Sequence, residues 1–122
     1  MIKYRIGILW ALLIFTSCED IINEDNLNNN QIILVAPAND TNLSPGVVQF
    51  DWQALEGASS YRIQIARPDF INPEQIVWDE IVQDSTGTNS AVNLEEGSYE
   101  WRVRGQNSVY VTPYSSAFLE IN

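Results

Sequence analysis

The chain has 122 residues and a mass of 13.8 kDa, room for one domain with a hydrophobic core. Sixteen acids against six basic residues give a net charge of −10, which repels polyanions and excludes nucleic acid as a partner. Histidine is absent, so the commonest general base is missing; a single cysteine forms neither an internal disulfide nor a Cys/His zinc site.

Lys3 and Arg5 precede the apolar run "IGILWALLIF", Ile6 to Phe15, and the small residues Thr16 and Ser17 lead into Cys18. A positive start and a short apolar run read as an export signal over residues 1–17. The run is too short for a permanent span, which needs about 20 apolar residues. The arrangement resembles a bacterial lipoprotein signal peptide, in the looser form ending in "SC" found in Bacteroidetes. Phe15 stands where the common pattern has leucine.

That resemblance implies cleavage before Cys18 and its acylation, with Cys18 as the mature N-terminus. Two or more acyl chains, at about 0.8 kcal/mol per buried CH₂, then hold the protein to the outer membrane. Loss of Lys3 and Arg5 takes the net charge from −10 to −12 and leaves no lysine. Glu19 and Asp20 resemble the acids that accompany export to the cell surface; a solvated acidic tether on either face explains them equally. The segment "EDIINEDNLNNN", Glu19 to Asn30, has no sustained period. Residues 18–30 therefore read as a lipidated cysteine and a flexible tether, with a reach on the order of 20 Å.

From Gln31 to Asn122 short alternating runs are separated by turn residues, the pattern of an all-β sandwich. "QIILV" is the first strand, closed at an edge by Pro37. In "VVQFDWQ" Val48, Phe50 and Trp52 share a face, and in "YRIQIA" Tyr61, Ile63 and Ile65 do. "IVWDEIV" and "AVNL" follow, on either side of the turn "DSTGTNS". In "SYEWRVRG" Tyr99, Trp101 and Val103 point inward, opposite Glu100, Arg102 and Arg104; "AFLEIN" is the last strand. About seven strands result, with helices scarce.

"VQFDW", "GASSYRIQIA", "LEEGSYEWRVRGQN" and "YSSAFLEI" resemble strands B, C, F and G of a fibronectin type III domain, an immunoglobulin-like fold. The resemblance makes Trp52 the core tryptophan of strand B. It makes Tyr99 the tyrosine of the E–F corner, whose hydroxyl bonds back to the upstream backbone. The family usually has a proline after the corner leucine, where this chain reads Leu94-Glu95-Glu96-Gly97.

Arg62, Arg102 and Arg104 face outward on neighbouring strands. They form either a basic stripe for an anionic ligand or cross-strand ladders with Asp79, Glu80 or Glu100. Tyr110 and Tyr114 flank the F–G loop, Phe70 lies in the C–C′ loop, and Trp78 lies in "IVWDEIV". Such aromatics can stack sugar rings, with Tyr110 the best single candidate; Phe70 and Tyr110 belong at opposite ends of the sandwich. The acidic loops "PAND" and "DSTGTN" are turns before they are calcium sites. "DST", Asp84–Thr86, also resembles a short Bacteroidetes O-glycosylation signal.

The expected protein is a non-catalytic outer-membrane lipoprotein, an adhesion, spacer or protein-interaction module. No cofactor or metal is expected, and no spacing singles out a catalytic carboxylate pair. The expected partners are the membrane, through Cys18, and an outer-membrane protein or surface glycan. The alternative is a glycan-binding accessory lipoprotein of a polysaccharide-uptake system.

Overall fold

The computed structural model describes residues 24–122; the export signal, Cys18, Glu19 and Asp20 lie outside the described residues. Eight strands form two sheets. They are β1 (Leu34–Ala36), β2 (Thr41–Leu43), β3 (Gly46–Trp52), β4 (Ser60–Arg67), β5 (Gln75–Gln83), β6 (Asn89–Leu94), β7 (Gly97–Gln106) and β8 (Ser115–Ile121). One sheet has the order β1-β3-β6, the other β2-β8-β7-β4-β5. Every pairing is antiparallel except β2 with β8. This is the all-β sandwich that the alternation predicts.

The first strand departs from its expected form. After β1 the chain leaves the smaller sheet, and β2 joins the larger one beside β8. The crossing is stitched to β8 by two bonds: Asp40 N–H donates to Phe118 O, and Phe118 N–H to Asn39 Oδ1, both at 2.8 Å. "PAND" is thus a crossover held by one backbone bond and one bond to the Asn39 side chain.

Alternation puts one face of each long strand between the sheets. Phe50, Tyr61, Ile63, Ile65, Trp101 and Val103 are fully buried there, with Trp52, Tyr99, Leu119 and Ile121 close to it. Phe50 meets Trp101 edge-on across the core at 4.9 Å between centroids, and Trp52 meets Tyr61 at 5.8 Å. The Tyr99 hydroxyl donates to Glu95 O at 2.7 Å, so the corner bond forms although Glu95-Glu96-Gly97 replaces the usual proline.

The tether reading needs correction from Glu24 onward. Leu27 is 0% exposed. Asn107 Nδ2 donates to Asp25 O at 2.9 Å, and Ser108 N–H to a Glu24 carboxylate oxygen at 3.4 Å. An Asn30 N–H to Leu27 O bond of 3.0 Å turns the segment back toward β1. A single leucine among asparagines shows no period, yet burying it and closing these bonds holds residues 24–30 on the domain. The segment lies at the end of the sandwich that carries the β3–β4 loop around Gly57 and the β7–β8 loop around Asn107.

Candidate functional site

The outward face of the five-stranded sheet gathers most of the residues that the sequence singles out. Antiparallel register sets Arg62 opposite Arg104 and Gln64 opposite Arg102 on β4 and β7; Arg62 also faces Ile81, and Gln64 faces Asp79, on β5. Like charges directly opposite on adjacent strands repel, so each guanidinium needs compensation.

Arg62 finds it in Asp79. Nε donates to Oδ1 at 2.9 Å and Nη2 to Oδ2 at 2.8 Å, a two-pronged pair. The hydrogen bond from Arg62 holds the Asp79 carboxyl below its ordinary pKa, and the same bond raises that of Arg62. Gln64 adds a bond to Asp79 Oδ2 at 3.2 Å.

Arg102 is held differently. Its Nε donates to Gln64 Oε1 at 2.9 Å, and its guanidinium carbon lies 3.9 Å from the Phe70 ring centroid and 4.1 Å from that of Tyr114. Arg104 lies 5.0 Å from the same Tyr114 ring. A cation sandwiched between aromatic faces is a favourable electrostatic contact, worth about 0.5–2 kcal/mol depending on desolvation.

Phe70 reaches this face by a folded-back loop. Asp69 Oδ1 accepts the N–H groups of Ile71 at 3.0 Å and Asn72 at 2.8 Å, which tightens the turn after β4. Phe70 N–H donates to Glu100 Oε1 at 2.9 Å. Phe70 thus lies in the β4–β5 loop and Tyr110 in the β7–β8 loop, at opposite ends of the sandwich, while Tyr114, just before β8, meets Phe70 across Arg102. Tyr110 stays in its own turn, where Asn107 Oδ1 accepts its N–H at 2.8 Å and its carbonyl accepts Asn107 N–H at 2.9 Å. Its ring makes no aromatic or cation–π contact with the arginine face.

The ladder expectation survives only for Asp79. Glu100 is engaged by Phe70 N–H. Glu80 turns to the other side of β5, where Oε1 accepts from Ser90 Oγ at 2.6 Å and Trp78 Nε1 at 3.1 Å. Trp78 is half-buried against the core, which withdraws it as an exposed platform. Sequence reasoning missed Gln64 as the link between the two pairs; its position between the inward Ile63 and Ile65 carried no signal beyond outward parity. Among the described residues no three histidine, cysteine, aspartate or glutamate side chains cluster as metal ligands.

At the end that holds the N-terminal segment, the Tyr61 hydroxyl accepts Leu55 N–H at 3.0 Å and donates to Asp84 Oδ1 at 2.7 Å. Burial, with the Asp84 bond, pushes the Tyr61 pKa up to about 12. The "DST" residues form a single 3₁₀ turn, in which Thr86 Oγ1 donates to Gln83 O at 2.8 Å.

Comparison with known proteins agrees on the architecture. No family model matches the sequence, and no curated protein matches it. The fn3 domain of human collagen alpha-1(XX) chain is similar, with a TM-score of 0.54 and 17% identity over 75% of this chain and 81% of that one. FN3tt gives 0.53 and 14%, covering 73% and 91%; chicken CNTN1 FN1–FN3 gives 0.51 and 14%, covering 73% and 32%. The chain is thus an all-β, immunoglobulin-like sandwich. Within that class its fold is the fibronectin type III one.

Proposed function

We propose that the protein is a lipid-anchored, non-catalytic interaction module held close to the outer membrane by Cys18. The observation that carries this reading is the docking of Glu24–Leu27 on the end of the sandwich. Five residues lie between Cys18 and Glu24, a span of at most roughly 20 Å fully extended. A lipid on Cys18 then holds the domain near the headgroups, and the end with the β3–β4 and β7–β8 loops is the end nearest the anchor.

The interaction role is supported by the outward arginine–aromatic face. Arginine and tyrosine are the residues that dominate contact energies at protein interfaces, particularly when their rotamers are already fixed. A glycan platform is less well served, because Phe70 and Tyr114 each turn a ring face to Arg102. The face could meet a surface protein from either side of the outer membrane.

The test is metabolic labelling with an alkynyl palmitate, in cells expressing the full chain or its Cys18→Ala variant. The expected result is a labelled, membrane-bound protein that loses both label and membrane association in the variant. An unlabelled wild-type chain, or a variant that stays on the membrane, overturns the anchor. Protease added to intact cells then separates surface display from the periplasmic face.

A further inference from the structure

We infer that the outward face built by Arg102, Arg104 and Tyr114 is a binding site for the carboxylate of a short acidic peptide segment with apolar neighbours. This deepens the interaction-module reading and does not depend on the anchor at Cys18.

The argument starts from charge. The described residues contain four cations, Arg62, Arg67, Arg102 and Arg104, and three of them lie on this one face. The described residues also contain fourteen acids, yet they form one ion pair, Arg62 with Asp79. Arg102 is bonded to a neutral amide. Arg104 has only the Tyr114 ring, and its Nε is buried with no hydrogen-bond partner. A buried N–H of a charged group left without an acceptor is costly, and a fold shaped by stability alone would place one of its many acids there. A carboxylate at the outer, Nη edge of Arg104 compensates a charge that no acid among the described residues does.

Geometry suits that ligand. Arg102 and Arg104 alternate on one strand, about 7 Å apart along it, with Arg62 directly across from Arg104. Arg102 is clamped by two rings and Gln64, so little side-chain freedom remains to be lost on binding. Ring faces given to guanidinium groups are withdrawn from sugar stacking, while guanidinium edges are well matched to a carboxylate. Apolar side chains border the patch: Ile81, across from Arg62, and Phe118 are each 44% exposed. A segment that alternates carboxylates with apolar residues meets both.

The overall charge decides between a short segment and a long polyanion. Exposed charges are screened beyond about 8 Å at physiological salt, so one or two carboxylates sense mainly the local arginines. A long sulfated or uronate chain crossing the domain also meets the surrounding acids.

The test uses the full chain in detergent micelles, following the arginine Nε–H signals by NMR, with Arg67 as internal reference. The probe is a capped pentapeptide alternating isoleucine or phenylalanine with glutamate. Its glutamine counterpart, sodium sulfate and dextran sulfate are the comparisons. The expected result is saturable movement of the Arg102 and Arg104 signals, with Arg67 still. The glutamine peptide should bind at least ten-fold more weakly. Arg104→Gln should weaken the glutamate peptide at least five-fold with at most a small drop in melting temperature, since the fold loses only the stacking on Tyr114. Signals that stay still, or equal binding of the two peptides, overturn the site. Sulfate as effective as the peptide reduces it to an adventitious ion only, and tighter binding of dextran sulfate overturns the peptide class in favour of an anionic polysaccharide. Palmitate labelling is untouched by any of these outcomes, so failure of this site and failure of the anchor are told apart.

Discussion

The Tyr61 hydroxyl sits 2.7 Å from Asp84 Oδ1 and 3.0 Å from Leu55 N, tying the start of β4 to the loop before it and to the turn after β5. Tyr61→Phe strips both bonds and leaves Leu55 N–H without its acceptor, a loss of about 1–3 kcal/mol. The same contact sets an alkaline limit. The folded pKa of Tyr61 is about 12 against an ordinary value of about 10, so the neutral form is favoured in the fold. Its contribution is complete below pH ~10 and is lost as pH rises from there through about 12. Urea midpoints at pH 8 and pH 11 should therefore draw closer in Tyr61→Phe than in the wild type. An equal drop in both would put the alkaline sensitivity elsewhere.

The long strands were legible because period-2 alternation over six or more residues has few other solutions. Val48, Phe50 and Trp52 on β3, and Tyr99, Trp101 and Val103 on β7, all point where the pattern sends them. The three-residue β2 was not legible: "TNL" has no pattern of its own and becomes a strand because β8 offers it a free edge. The burial of Leu27 and the stacking of Phe70 on Arg102 were not legible for a related reason. Each is fixed by partners or burial far along the chain, Phe70 by Glu100 and Arg102, and local sequence holds no trace of such contacts. The arginine face lies between these cases. Parity put three arginines outward, but it is the fold that engages Glu80 with Ser90 and Trp78, and Glu100 with Phe70.

Leu27 and Gly57 test the N-terminal docking. Leu27→Ala should cost about 2–5 kcal/mol if its burial is part of the domain. Gly57 has φ +94, and a Cβ there would come within 2.6 Å of Asp25 Oδ2. Gly57→Ala therefore combines left-handed strain with displacement of Asp25 and should cost about 1 kcal/mol or more. Limited proteolysis gives the local readout: both variants should be cut near Glu24–Asn30 faster than the wild type. A normal melt with unchanged cutting would mean that the segment adds nothing to the fold.

Trp52 carries a larger share. It is 2% exposed and packs edge-on against Tyr61 between the sheets. Trp52→Ala should cost about 3–5 kcal/mol and lower the melting temperature by roughly 10 °C or more. A shift of a degree or two would contradict the burial of this face of β3.

The Arg62–Asp79 pair should contribute little in spite of its geometry, because the two side chains are 36% and 38% exposed. Asp79→Asn is expected to cost about 0.2–1 kcal/mol, less at high salt. Asp79 titrates below its ordinary value in the fold, so the pair's contribution is present above pH ~4 and disappears as pH falls through the lowered pKa. Wild type and variant should converge in acid melts and separate near neutrality. Divergence at low pH would reverse the sign and exclude this pair as the source.

The proposed anchoring at Cys18 predicts a sharp contrast between two exposed positions. Val109, 56% exposed, lies in the β7–β8 loop beside the docked N-terminal segment, whereas Ile71, 87% exposed, lies in the β4–β5 loop toward the opposite end. Because Cys18 is the only native cysteine and its sulfur is blocked when acylated, Val109→Cys and Ile71→Cys each present a single reactive thiol. In isolated membranes a bulky polyethylene glycol maleimide should modify Ile71→Cys at least ten-fold faster than Val109→Cys. Detergent should bring the two rates within about the ratio of their exposures. The clamp at Glu24–Leu27 is what makes the difference: a domain swinging freely on a long tether would expose both thiols alike. Equal rates in membranes, with palmitate labelling intact, would therefore leave the anchor standing and remove the fixed orientation.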